Sequence, residues 1–180
     1  MSEGVDPDSA TEAAVASGGN IDRARVLAAD PDLAARRRTF AEVPSRLDGT
    51  GTRVMAVVDD LLGRIDAAAA PLAERHADEV DAMDERIKQY GERGSGKKSL
   101  EDRHKRELRR HRTDELLAGL TVIAGTYRDA LVSGRVARPD AAADAVRHIH
   151  EAMETLERNP NEPLLLQSLL WSSPVLTGQS

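Results

Sequence analysis

The sequence predicts an all-α protein: a helical bundle with a long helical hairpin and a short N-terminal helical appendage. Three observations predict it. Apolar residues recur at steps of three and four, as in Val54, Val58, Leu61, Ile65 and Leu72, which is the period of one helix face. No segment alternates apolar and polar residues with period two, so no sheet is expected. Finally, 180 residues include only four aromatics, Phe40, Tyr90, Tyr127 and Trp171. The core must therefore be Leu, Val, Ile, Met and Ala, a palette that lets helices approach closely and suits strands poorly.

Punctuation residues divide the chain. Asp6 before Pro7 is a cap-then-proline signal for a first helix that stops at Gly18-Gly19. Asn20 caps a short helix over 21–29, and Asp30-Pro31 starts a third, from Asp32 to about Glu42, which Pro44 interrupts. Leu47 to Thr52 reads as a loop. A long helix begins at Arg53, with Pro71 expected to kink or split it near Ala67 to Ala70. Its stripe continues through His76, Val80, Met83, Ile87 and Tyr90. Gly91 to Lys98 is a polar, glycine-rich connector, expected to be mobile. Ser99 with Asp102 forms a near capping box for the next helix, which gains a core stripe at Leu116, Leu117, Leu120, Ile123, Tyr127 and Leu131 and ends at Ser133-Gly134. Asp140 caps another, with Ala142, Val146, Ile149, Met153 and Leu156 on one face. After the breaker Asn159 to Pro163, Leu164 to Trp171 forms a last, mostly apolar helix. Residues 173–180 are expected to be a disordered tail.

Composition narrows the function classes. There is no cysteine, which removes disulfides, thiolate metal sites and a cysteine nucleophile. Met1 to Asp6 has no apolar core of a secretory signal. The longest apolar runs, such as Ala67 to Ala73, fall far short of the roughly 20 residues that cross a bilayer. A cytoplasmic protein with no membrane contact is expected.

The candidate chemistry is thin. Gly91-x4-Gly96-Lys97-Lys98 approaches the phosphate-binding pattern G-x4-G-K-[ST], but Lys98 holds the hydroxyl position, Ser99 comes one residue late and no strand precedes it. His148 and His150 diverge on a helix. His104 and His111 share a face with Glu107 but lie two turns, roughly 10 Å, apart. Zinc needs three or four converging ligands. No serine sits in a nucleophile elbow, and the carboxylates lie on solvated faces where nothing should shift their pKa. No catalytic residue, cofactor, metal or small-molecule substrate is expected.

Charge is uneven. The net charge is −6, yet Lys97 to Arg112 holds eight Lys or Arg against Glu101, Asp102 and Glu107. Phosphate contact is one reading of this stretch. Against it, no interleaved aromatic would stack bases, so direct contact with nucleic acid is not expected. If the connector folds back, Asp78, Glu79, Asp81, Asp84 and Glu85 lie beside the basic segment in an αα-hairpin. A protein contact is the third reading, with Arg103, Arg106, Arg109 and Arg110 as candidate charged residues.

Three segments, in order, resemble one family: Ala16-Ser17-Gly18-Gly19-Asn20-Ile21-Asp22-Arg23-Ala24-Arg25 with a Leu-Ala-x-Asp-Pro run after it; Lys98-Ser99-Leu100-Glu101-Asp102-Arg103 through Leu131, including Tyr127-Arg128-Asp129; and Leu156-Glu157-Arg158-Asn159-Pro160-Asn161-Glu162-Pro163 through Leu170. Together they resemble the C-terminal half of the delta-prime subunit of the bacterial DNA polymerase III clamp loader, of actinobacterial type. The resemblance implies the end of a helical lid domain at 1–35 and a clamp-loader collar-like oligomerisation domain at 36–172. It also implies that an ATPase-like domain is missing, as in a fragment or truncated chain. Two positions depart from the family: Asp22 stands where ATP-hydrolysing relatives carry a nucleotide-sensing arginine, with Arg23 one residue later, and Gln167 stands where glutamate is common.

The resemblance implies a non-catalytic subunit that holds together the ring loading the sliding clamp during DNA replication, with other clamp-loader subunits as hetero-oligomeric partners. Leu165, Leu166, Leu169, Leu170 and Trp171 are the expected partner interface, because consecutive leucines point around the whole helix and Trp anchors interfaces. A free-standing helical adaptor unrelated to replication, using the same leucine-rich helix, is the alternative. A small enzyme or nucleotide-binding regulator built on the glycine-rich connector is a third.

Overall fold

The computed structural model describes residues 32–90 and 95–176, together with Ala10, Thr11, Ala13, Ala14, Ile21 and Ala24. Most of the two helices expected over 7–18 and 21–29, and of the lid region, lies outside the described residues, as do 91–94 and 177–180. Among the described residues there are six helices and no strand: α1 (Leu33–Arg46), α2 (Gly51–Ala68), α3 (Ala70–Tyr90), α4 (Ser95–Val132), α5 (Pro139–Leu156) and α6 (Glu162–Ser172). The protein is all-α, as the stripes predict.

Helix α1 buries Leu33, Arg36, Phe40 and Val43 at steps of three and four. It does not stop at Pro44, as expected, but runs on to Arg46. Proline here removes one backbone bond in the final turn, and its own carbonyl accepts from the Leu176 N–H at 2.8 Å. Asp48 accepts from the Thr50 N–H at 2.9 Å and from its hydroxyl at 2.7 Å, and the Thr50 hydroxyl in turn caps α2 at the Arg53 N–H. Gly49, at φ 80°, supplies the left-handed turn before it.

Pro71 splits the long helix as predicted: α2 ends at Ala68, and Pro71 is the second residue of α3, where its missing N–H is an orphan anyway. Helix α4 begins earlier than expected. Ser95 is already helical, so Ser99 and Asp102 lie inside the helix and form no cap. Gly134, at φ 67°, ends it, with the Gly134 and Arg135 N–H groups returning to the carbonyls of Leu131 and Ala130. Helix α5 starts at Pro139, one residue before Asp140, which lies in its first turn instead of capping it. Asn161 caps α6 at the Leu164 N–H, so that helix begins two residues before Leu164.

The core joins α1, α2, α5, α6 and the inner half of α4. Leu61, Ile65, Leu116, Leu120, Ile123, Tyr127, Ile149, Leu166 and Leu170 are fully buried in it. Two contacts set how α1 lies on α4, the chains running in the same direction. Arg36 pairs with Glu115 at 3.3 Å, both side chains buried. One turn on, the Phe40 ring covers Gly119. The expected disordered tail is corrected for residues 173–176. Pro174 accepts the Tyr127 hydroxyl at 2.7 Å, and Leu176 packs on the core, because a buried phenol requires a partner. Burial pushes the Tyr127 phenol far above its usual range.

Gly119 provides the test of this packing. A methyl there would sit 2.3 Å from Phe40 Cε1, and Phe40 is only 3% exposed, so the ring has nowhere to swing. Alanine should gain about 1 kcal/mol of helix propensity and lose more to overpacking, which costs about 1–3 kcal/mol. Urea unfolding should therefore find Gly119→Ala less stable than the native chain, with Phe40→Leu recovering part of the loss in the double variant. An equally stable Gly119→Ala would show that the contact is loose.

Candidate functional site

Three places carry exposed or unusual chemistry: the outer face of α6, the two-helix arm made by α3 with the outer half of α4, and a groove on that arm. Among the described residues no group of three His, Asp or Glu is placed to hold a metal ion, and no helix is long and apolar enough to cross a membrane.

Helix α6 is apolar all round, and the bundle takes only part of it. Leu166, Leu169 and Leu170 are buried in the chain's own core, and Leu165 packs partly against it. The expectation that these leucines form a partner face is corrected: α6 lies across α2 and α5, and those contacts use them. Left outside are Leu164, 62% exposed, and Trp171, 64% exposed, seven residues apart and hence on one face. The Trp171 ring lies over Gly51 at the start of α2, close enough that a Cβ there would be 2.9 Å from Cζ3. One turn along α2 from Gly51, Met55 is also exposed. Sequence reasoning misses Leu164 and Met55. The spacing of seven puts the first on the face of Trp171, but that this face is the one left outside needs the α2–α6 packing, as the second does.

The arm is antiparallel, as expected, but the acidic segment meets only the start of the basic one, and Glu107 already lies beside Arg75 and His76. Lys97 bonds both oxygens of Asp84 at 2.8 Å, and Arg103 pairs with Glu79. At its centre His76 and His104 stack, ring centroids 3.9 Å apart and 6° from parallel, and both are buried. His76 Nε2 meets Glu107 at 2.8 Å, and His104 Nε2 meets Glu79 at 3.0 Å. Arg75 also reaches Glu107, at 3.2 Å. The signal for this clasp is in the sequence: Arg-His-x-x-Glu occurs at Arg75-His76 to Glu79 and at Arg103-His104 to Glu107. Antiparallel pairing of two copies gives each histidine to the other helix's glutamate. His76 Nδ1 is buried without a hydrogen-bond partner. A proton there would have no acceptor, which favours the tautomer that donates from Nε2 to Glu107.

The carboxylates of the clasp are therefore not the unshifted groups expected. The hydrogen bond from His104 holds Glu79 below the usual carboxylate range, with Arg103 adding to it. The bond from His76 does the same to Glu107. Asp84 raises Lys97.

The arm neutralises the basic stretch only in part. Arg112 is held by Asp66 and Glu162. Arg110 has only a 3.9 Å contact with Asp114 of its own helix. Lys98, Lys105, Arg106 and Arg109 make no ion pair among the described residues. Beside them, Glu79, Met83, Arg86, Ser99, Arg103 and Arg106 line most of an open groove of about 580 Å³. Two of the near P-loop residues serve packing here: a Cβ on Gly96 would be 2.5 Å from Met83 Cε, and Lys97 is engaged by Asp84.

No family model matches the chain, and comparison with curated proteins and with solved structures gives no match either.

The clasp makes a pH prediction. Both glutamates have folded pKa values below their ordinary 4.5, so their stabilisation is present above 4.5 and is lost as pH falls through the lower folded values. Glu79→Gln with Glu107→Gln should melt below the native chain near neutrality, and the difference between the two melting temperatures should shrink as pH falls below 4.5. A difference that did not change with pH across the acid range would show that the carboxylates act through shape and not charge.

Proposed function

We propose that the chain is a non-catalytic helical assembly subunit of a bacterial DNA polymerase III clamp loader, its bundle acting as the collar that holds neighbouring subunits in the ring. The reading rests on the order and spacing of the three sequence segments that resemble the delta-prime subunit. One structural observation supports it: α6 keeps Leu164 and Trp171 outside a core that buries Leu166, Leu169 and Leu170 between them. An exposed Trp on a helix fixed by its own core is a pre-organised anchor, since little further ordering is needed when a partner covers it. Met55 widens the apolar face beside it.

In this role the chain supplies position instead of chemistry. Other clamp-loader subunits are the partners, ATP is neither sensed nor hydrolysed, and the working compartment is the cytoplasm. Asp22 in place of the sensing arginine supports the silent role, because a carboxylate would repel nucleotide phosphates. A free-standing adaptor would use the same face, so the partner has to be tested directly.

The double variant Leu164→Asp with Trp171→Ala changes only exposed side chains. It should keep the helical circular dichroism of the native chain and bind a reconstituted clamp-loader assembly at least about thirty-fold more weakly, the loss of one interface anchor worth about 2 kcal/mol. Leu170→Asp is the contrasting control and should unfold the bundle, since Leu170 is 2% exposed. A folded double variant that still joins the assembly with native affinity would place the interface elsewhere. A native chain that never joins would favour the adaptor.

A further inference from the structure

The cations of the arm that make no ion pair across the hairpin or with the bundle are not scattered. At 100° per residue, Lys98, Lys105, Arg106, Arg109 and Arg110 of α4 fall within an arc of about 140°. Its centre points away from His104 and Glu107, and hence away from α3. Lys105, Arg106, Arg109 and Arg110 are all exposed. From Lys98 to Arg110 the strip runs roughly 18 Å along the helix. Asp102 and Glu101 are the carboxylates at its outer end, and Glu79, tied to Arg103 and His104, lies across the flanking groove.

We propose that this outward face of α4 binds the phosphate backbone of nucleic acid, with Arg86, Ser99 and Arg106 of the adjoining groove seating one phosphate. The expectation of no nucleic-acid contact rests on neutralisation inside the hairpin and on the lack of aromatics. The structure removes the first reason: Lys98, Lys105, Arg106 and Arg109 make no ion pair among the described residues, Arg110 makes only a 3.9 Å contact within its own helix, and all five face solvent. The second restricts the mode of binding. Without aromatics to stack on, the contact is to the backbone and is indifferent to sequence.

An acidic protein would also meet this charge, but the surface lacks what a protein interface needs. The exposed large apolar residues among those described are Ile21, Met55, Val132, Leu164, Trp171 and Val175, and none lies on the arm. Protein interfaces are built on an apolar core, whereas a linear polyanion needs only cations at regular spacing. Side chains four apart on a helix lie about 6 Å apart along it, and a strip of roughly 18 Å spans about five nucleotides of one duplex strand at 3.4 Å each. The chain as a whole carries −6, so general attraction works against binding, and any binding reports a local surface. The inference is independent of the clamp-loader reading, since it concerns the chain alone.

The test is fluorescence anisotropy of the full chain with labelled 20-nucleotide single-stranded and duplex DNA of mixed sequence. Binding is expected at 50 mM salt and should weaken roughly 20-fold to 150-fold at 200 mM, the dependence of three to four phosphate contacts on single-stranded or duplex DNA. Lys105→Glu, Arg106→Glu and Arg109→Glu together should weaken it at least tenfold. The same change of charge at Arg128, Arg135 and Arg147 on the bundle should have less than a threefold effect. The neutral set Lys105→Gln, Arg106→Gln and Arg109→Gln, checked by circular dichroism, guards against a charge-reversed arm that fails to fold. Three results would overturn the proposal: no binding at 50 mM salt, equal losses from the arm and bundle sets, or binding to polyglutamate that DNA does not displace. The last would assign the strip to an acidic protein.

Discussion

A helix of 38 residues cannot be covered along its length by neighbours of 11 to 18 residues, and most of this architecture stems from that mismatch. At 1.5 Å per residue α4 is about 57 Å long. Its inner half carries Leu116, Leu120, Ile123 and Tyr127 and serves as a shared wall for α1 and α5. Its outer half has almost no apolar residues and would stand alone in water, where an isolated helix is marginal. Helix α3 is the remedy. Freed from α2 by the break at Ala69 and Pro71, it runs out along α4 and lends it partners, and the histidine stack and its glutamates do what a leucine seam does elsewhere.

Much of this is legible in the sequence, and the misses share a physical cause. Period and punctuation give the helix class, the split near Pro71, the stop at Ser133-Gly134 and the antiparallel arm. Pro44 misleads, because an interior proline is tolerated where only one late backbone bond is lost. Ser99 and Asp102 resemble a cap, but Gly96 packed against Met83 and Lys97 bonded to Asp84 hold the preceding turn helical and carry α4 further out. The surface leucines mislead for a different reason. Leu166, Leu169 and Leu170 can be told from Leu164 only by knowing which neighbours cross α6, and that depends on contacts between segments more than a hundred residues apart, such as Gly51 with Trp171. The unpaired cations are hidden for the same reason. Composition counts charges, but only geometry says which of them meet.

The buried Arg36–Glu115 pair shows how the two halves of the molecule are held in relation. Breaking such a pair by removing one partner strands a charge in the core and costs about 3–5 kcal/mol, although an apolar substitute for both can be neutral. Its value is therefore in register. With Phe40 seated on Gly119 one turn away, it fixes where α1 sits along α4, and so where the bundle ends and the arm begins. The Leu164–Trp171 face and the cationic strip are both rigidly oriented by that boundary.

The crossed Arg-His-x-x-Glu clasp has a consequence for how such a chain can change length. One half of the clasp, Arg103 with Glu79, is closed across 24 positions through the tip and the other, His76 with Glu107, across 31, yet neither bond depends on how many residues lie in that excursion. Residues can be added or removed at the tip as matched turns without disturbing the histidines. Between the clasp and the bundle the situation is reversed. A single inserted residue on either helix rotates His76 or His104 by about 100° and separates both rings from both glutamates at once. The clasp thus divides the arm into a segment open to drift and a segment held to fixed spacing, and length variation among relatives should fall on the tip side of Glu79 and Arg103.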